Sequence, residues 1–98
     1  MSLDKHLSIA KETALWFNPH HILMSEKDCR IIFGRVEVVV INNLFIPGQW
    51  DIEISWPEMG SIDIPESENF SKDLRTAIIL AKTISKRFED EKNSCKNN

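Results

Sequence analysis

The apolar positions of the chain show their clearest strand period in residues 49–56. Four large apolar side chains alternate there with polar ones: Trp50, Ile52, Ile54 and Trp56. Successive side chains of a strand point to opposite faces, so Asp51 and Glu53 should share the other face. This segment is therefore predicted to be a strand with one face in the core and one acidic face.

Residues 30–41 form a second strand-like stretch, which carries apolar residues at both odd and even positions. As one strand, it places two apolar sets on opposite faces: Ile32, Val36, Val38 and Val40 on one, and Ile31, Phe33, Val39 and Ile41 on the other. A strand with two apolar faces needs cover on both sides. We expect either the first helix or a second subunit to provide the second cover.

Helical periodicity marks both ends of the chain. Residues 3–17 repeat apolar side chains on one helical face, and Asn18-Pro19 should end this helix, because a residue before proline is disfavoured in the α region. A longer apolar stripe runs from Phe70 to Phe88 and predicts a helix that starts within 65–69 and ends within 87–90. Ile79 points away from this stripe.

The connecting segments leave some alternatives open. Residues 20–24 can pair with 30–41 as a hairpin, and 62–64 can form a short strand or lead into the second helix. The loop 42–48 favours one antiparallel hairpin between the two long stretches, although a tight turn followed by a short returning strand also fits. In the hairpin, Phe45 lies at an apolar loop tip, which suits a contact site.

Together these elements predict an α+β fold: an N-terminal helix, an antiparallel sheet of three or four strands and a long C-terminal helix packed on the sheet. Residues 1–90 should form a single domain, and residues 91–98 a polar, disordered tail. The chain has no apolar run of membrane-spanning length, no signal-peptide layout and no disulfide framework. We therefore expect a cytoplasmic protein that does not contact membranes.

Charge is distributed unevenly along the chain. Residues 36–71 hold seven acids and no base, whereas residues 72–98 hold seven bases and four acids. Acids near a helix start and bases near its end complement the helix dipole, which accounts for part of this pattern. Acids on an exposed sheet face are more often solvated, and Arg35 is available as a partner for them. With suitable strand pairing, Glu37, Asp51 and Glu53 meet on the outer face of the sheet.

Candidate catalytic chemistry is sparse. The three glycines are isolated, so no phosphate-binding loop is present, and the histidines and cysteines lack the spacing of a metal site. Cys29 and a histidine would make a thiol–base pair without a third, orienting group. No enzyme activity, metal or cofactor is predicted.

Residues 54–84 carry a composite pattern: a strand that ends in Trp, then Gly-Ser, an acidic helix start, a Phe ten residues after the Gly and a Leu/Ala-rich helix. Its positions are Trp56, Gly60, Ser61, Phe70, Leu74 and Ala77. This pattern resembles small uncharacterised proteins of phages and bacteria. The resemblance implies a fold and a phage or prophage origin, and it carries no catalytic residues.

The first functional hypothesis is a non-catalytic protein-binding module, such as an accessory or inhibitory protein of a phage or mobile element. An acidic sheet face with apolar neighbours suits a protein partner that has a basic surface. The predicted contact residues are Glu37, Asp51, Glu53, Phe45 and Ile79. We also expect a homodimer, because Ile79 and the second apolar face of residues 30–41 need cover.

Two alternatives stay open. A nucleic-acid-binding protein would use the basic residues of the last helix: Lys72, Arg75, Lys82, Lys86 and Arg87. The sheet lacks the basic stripe that phosphate-binding proteins usually show, which argues against this alternative. A small hydrolase would use Glu37, Asp51 and Glu53 as acid and base.

Overall fold

The computed structural model describes residues 5–42, 49–56, 58 and 60–96. Within these residues the chain forms a helix, five strands and a second helix. The elements are α1 (Lys5–Leu15), β1 (His21–Met24), β2 (Asp28–Phe33), β3 (Val36–Asn42), β4 (Trp50–Trp56), β5 (Gly60–Ile64) and α2 (Phe70–Lys96).

The strands form one antiparallel sheet in the order β1-β2-β3-β4-β5, so each strand pairs with its neighbours in sequence. The predicted α+β class, the antiparallel sheet and the helix packed on it are confirmed. The sheet has five strands instead of three or four, because 30–41 splits into two strands and both optional strands, β1 and β5, form. The preferred antiparallel pairing of β3 with β4 is also confirmed, while Phe45 lies outside the described residues.

The prediction of one strand over residues 30–41 is wrong, because the chain reverses at Gly34. Phe33 pairs with Val36, which leaves a two-residue hairpin turn at Gly34 and Arg35. Gly34 has a φ of 63°, and glycine at the first central position suits a type II′ hairpin turn. The turn aligns six apolar residues of the two strands on one face, all of them buried: Cys29, Ile31, Phe33, Val36, Val38 and Val40.

The second apolar face expected for residues 30–41 is therefore reduced to Ile32, Val39 and Ile41, and the first helix does not cover it as one alternative expected. Both helices lie on one face of the sheet, the inner face, where they form one core with the strands. Small buried residues in each helix, such as Ala10, Ala77 and Ala81, allow close approach to the sheet. Neither helix covers the opposite face, which we call the outer face.

The predicted strand of residues 49–56 is confirmed as β4. Ile52 and Ile54 are buried under the helices, and Trp50 and Trp56 are partly buried at the ends of the same row. Among the described residues, the indole Nε1 of Trp56 is buried without a hydrogen-bond partner. The predicted apolar stripe of α2 is also confirmed, since it packs on this face from Phe70 to Phe88.

The start of α2 lies at Phe70, one residue after the predicted range. The side chain of Asn69 caps the helix by accepting a hydrogen bond from the Lys72 N–H, at 3.0 Å. Glu68 has a φ of 71°, a left-handed conformation that a helix cannot include. Buried Asp73 accepts hydrogen bonds from the Ser67 N–H, at 2.9 Å, and from the Ser67 hydroxyl.

The far end of α2 also differs from the prediction. The helix continues to Lys96, so residues 91–96 are helical instead of belonging to a disordered tail. At the other end of the chain, α1 ends before Pro19 as predicted, and Asn18 has a φ of 52°. Lys82 of α2 donates a hydrogen bond to the Phe17 carbonyl at 3.2 Å, which joins the end of α1 to α2. No helix in the described parts of the chain is long and apolar enough to cross a membrane.

Candidate functional site: the outer face of the sheet

The outer face brings carboxylates from three neighbouring strands together. Glu37, Asp51 and Glu53 all lie on it, as the sequence predicted: Glu37 on β3 stands opposite Ser55, and Asp51 on β4 stands opposite Ile41. The strand register adds Asp63 of β5, which is directly opposite Glu53. Side chains in such pairs have Cβ atoms about 4.5–5.5 Å apart.

An apolar centre lies beside these acids. Val39 is only 4% exposed. It lies on the outer face and is not part of the core that the helices cover. Its direct neighbours across the strands are Arg30 on β2 and Glu53 on β4. Ile32 and Ile41 lie on the same face and are partly buried. The outer face therefore has an apolar middle with charged side chains around it.

The charges on the two sides of this apolar middle differ. On the β2 side, Arg30 forms ion pairs with Asp28 at 3.4 Å and with Glu37 at 3.7 Å. In the described part of the chain, no Lys or Arg forms an ion pair with the acids of β4 and β5: Asp51, Glu53 and Asp63. The β4–β5 side is thus the strongly acidic part, and Glu37 is partly neutralised.

The other predicted contact residues do not join this surface. Ile79 is exposed, but it lies on α2 and therefore on the opposite side of the sheet from the carboxylates. Phe45 lies outside the described residues. The predicted set of five contact residues therefore contains three that the fold places on one face, and Asp63 is the neighbour that sequence reasoning missed. The alternation of Ile62, Asp63 and Ile64 could have indicated it, had residues 60–64 been assigned firmly to a strand.

The helix layer carries the opposite charge. The basic residues of α2 named above are all exposed, although Lys82 is engaged with the Phe17 carbonyl. Trp16 is 86% exposed at the end of α1, and it lines a depression together with Arg75 and Glu12.

The residues considered for catalysis are separated in the structure. Cys29 is fully buried, and burial, followed by the nearby Asp28, raises the pKa of its thiol to about 11, against a small opposing effect of Lys11. The thiol is therefore protonated and shielded. His20 lies elsewhere, where its Nδ1 accepts a hydrogen bond from the Gly34 N–H. Among the described residues, no group of three His, Cys, Asp or Glu side chains could hold a metal ion.

His6 packs in an aromatic cluster at the other end of the core. Its ring centroid lies 4.8 Å from that of Trp50 and 4.8 Å from that of Phe70. Burial, followed by the charge of Lys5, lowers the pKa of His6 from its ordinary value of 6.5. The folded protein therefore favours the neutral imidazole.

We expect the free energy of unfolding to decrease as the pH is lowered from about 7.5 to about 5.5, in part because of His6. The unfolded chain binds a proton at His6 more readily, so the stabilisation is complete above pH 6.5 and is lost as the pH falls below that value. Urea unfolding across this pH range should show that the free energy of unfolding of His6→Gln depends less on pH than that of the parent protein. The exposed His21, changed to Gln, is the control, and equal slopes for His6→Gln and the parent would contradict this role.

Comparison with known proteins leaves the chain without an assigned relative, since no protein-family model, no curated protein and no solved structure matches it. The resemblance of residues 54–84 to small phage and bacterial proteins stays a prediction.

Proposed function

We propose that the protein is a non-catalytic protein-binding module and that its outer sheet face binds a protein partner with a basic surface. One observation supports this most directly: Ile32 and Ile41 are partly exposed around buried Val39 on a face that neither helix covers. Beside them stand Asp51 and Glu53, which form no ion pair with any described residue. Protein interfaces commonly have this composition, with an apolar middle and a polar, charged rim.

The arrangement of the acids is unfavourable in the isolated chain. Glu53 and Asp63 stand directly opposite each other, and like charges in such a pair destabilise a sheet by up to about 1 kcal/mol. Asp51 is two residues before Glu53 and extends the negative surface along β4. A basic partner surface would remove this repulsion on binding, which is a physical reason for a chain to keep the three acids together.

Charge on this face would also act before contact. A surface of one sign attracts a partner of the opposite sign and raises the association rate, and salt screens the attraction over about 10 Å at 0.1 M. Binding through Asp51, Glu53 and Asp63 should therefore weaken when salt is added. The effect should be smaller for apolar contacts of the partly exposed Ile32 and Ile41, which salt does not screen.

The test is affinity capture from a cell extract in low and in high salt, with the full chain as bait. In low salt, we expect the double variant Glu53→Gln/Asp63→Asn to capture at least about tenfold less partner than the parent chain does. The matched control is Glu66→Gln/Glu68→Gln, which removes two exposed acids of the segment between β5 and α2. Capture of the same partner in equal amount by both double variants would contradict the proposal.

Binding of nucleic acid is a second candidate, which exposed Trp16 favours. An exposed aromatic ring beside Arg75 is the kind of platform on which bases of a single strand stack, while nearby lysines contact phosphates. The capture experiment separates the two candidates. Nucleic acid held by α2 would be removed by nuclease and would not respond to the outer-face variant. The hydrolase hypothesis for Glu37, Asp51 and Glu53 stays a prediction.

A further inference from the structure

The sheet ends at β5, and no strand of the described chain pairs with its free edge. An exposed edge presents unpaired N–H and C=O groups, and soluble proteins commonly protect it with lysine, proline or a bulge. β5 has none of these: its sequence is GSIDI, and five consecutive residues pair with β4 without interruption. Asp63 is its one charged residue.

The apolar layer of the protein also continues to this edge with little cover. Ile62 stands opposite Ile54 on the inner face; Ile54 is fully buried, yet Ile62 is 43% exposed. Near the start of α2, Asp73 accepts a hydrogen bond from the N–H of Ser67, in the segment that joins β5 to α2. Leu80 lies two helical turns further along the same side of α2 as Asp73 and is 38% exposed.

We propose that two copies of this chain pair through their β5 strands, antiparallel and with Ile62 on the two-fold axis. The two sheets of five strands then become one continuous sheet of ten, with all helices on the same side. The proposed contact is isologous, so it closes at a dimer. The exposed Ile62 becomes the centre of the contact.

The side chains of β5 are self-complementary in this register. With Ile62 opposite the second copy's Ile62, Ser61 stands opposite the second copy's Asp63, and its hydroxyl can donate to that carboxylate. No two like charges are directly opposed. A register centred on Asp63 would instead place two carboxylates against each other, and one centred on Ser61 would leave Ile62 opposite Gly60.

The other edge of the sheet is less suited to this contact. β1 has four residues, and Leu23 in its second half lies on the outer face, opposite Arg30, where neither helix lies above it. An apolar pair at Leu23 would not continue the core, and Ile22 on the inner face is already partly buried against the core, unlike Ile62. β1 therefore provides matched control positions for tests of β5.

Dimerisation through β5 is independent of the basic partner proposed above, and salt distinguishes the two. Pairing at Ile62 brings Asp63 of both copies near the axis, diagonal to each other, so added salt should strengthen the dimer by screening this repulsion. Binding of a basic partner should weaken under the same conditions. One proposal can therefore fail while the other holds.

The experiment is sedimentation equilibrium of the full chain over a range of micromolar concentrations. We expect a reversible dimer whose dissociation constant rises about tenfold in Ser61→Asp, because two like-charge pairs are created, and falls in Ser61→Lys. His21→Asp, on the outer face of β1, should leave the constant unchanged. A strict monomer, or equal effects of Ser61→Asp and His21→Asp, would overturn the proposal.

Cross-linking provides a second measurement that does not depend on charge. Ile62→Cys and the control Leu23→Cys each place one thiol at an exposed edge position, in a Cys95→Ser background. Buried Cys29 does not compete, because its thiol is shielded and protonated. With oxidised glutathione as oxidant, Ile62→Cys should form the disulfide-linked dimer much faster than Leu23→Cys. Equal rates for the two variants would overturn pairing at β5.

Discussion

Replacing Leu74 by alanine should lower the free energy of unfolding by about 2–5 kcal/mol. Leu74 is among the largest fully buried side chains and lies on the α2 stripe that packs on the sheet. Alanine would leave a cavity between two rigid layers, which cannot fully close around it. Urea unfolding followed by circular dichroism measures the loss directly.

Leu80→Ala is the matched control for Leu74→Ala. Both substitutions remove the same atoms from the same helix, so their effects on helix propensity are the same. Leu80 is partly exposed, and its substitution should cost less than about 1 kcal/mol. The unfolding should be measured at low protein concentration, where dimerisation does not contribute. Similar losses for both variants would show that α2 does not pack through the face that carries Leu74.

Gly34→Ala should destabilise the protein by about 2–4 kcal/mol, for two reasons that add. The φ of 63° is strained for any residue with a Cβ. A Cβ at this position would also lie 2.7 Å from the Oγ of Ser85, a buried residue of α2. The β2–β3 turn is held there from several sides, since His20 accepts the Gly34 N–H, and Arg35 forms an ion pair with Glu58 at 2.8 Å.

Two variants separate backbone strain from the steric clash. Gly60 has a φ of 91°, and no atom of the described residues lies within 4 Å of the position that a Cβ would take there, so Gly60→Ala should show the strain alone. Ser85→Ala removes the clashing oxygen and should recover part of the loss in a Gly34→Ala/Ser85→Ala double variant. The recovered part measures the coupling of the two positions. Equal losses in Gly34→Ala and Gly60→Ala would exclude a contribution from Ser85.

The two proposed surfaces reinforce each other if both hold. Glu53 and Asp63 lie on β4 and β5, next to the proposed dimer axis. Pairing through β5 would therefore join the acidic sides of two copies into one surface. A partner with two basic regions could bind both halves. The second contact would then form within the complex, at a high effective concentration, which raises the overall affinity.

Much of the candidate site follows from sequence periodicity. The alternation in residues 49–56 correctly separates Asp51 and Glu53 from Ile52 and Ile54, because each strand residue reverses the side-chain direction. The apolar stripe of α2 is predicted correctly for the same kind of reason. Both predictions depend only on how often side chains return to the same face within one strand or one helix.

The reversal at Gly34 was not predicted, because residues 30–41 are apolar at both odd and even positions. An uninterrupted strand with two covered faces and a hairpin with one covered face have the same sequence pattern. The hairpin is the more stable conformation because it pairs Phe33 with Val36 and places both strands under the same helices. That preference comes from contacts across the sheet and is not contained in any single element.

The sequence by itself determined the α+β class, the two helices and the acidic face of β4, since each depends on side-chain direction within a short segment. Only the tertiary structure decided which surfaces stay uncovered. It placed α1 beside α2 on one face, left Ile32 and Ile41 partly exposed on the other, and left Ile62 exposed at the sheet edge. Exposure depends on which distant elements pack on a residue, and the local period of apolar residues does not specify that packing.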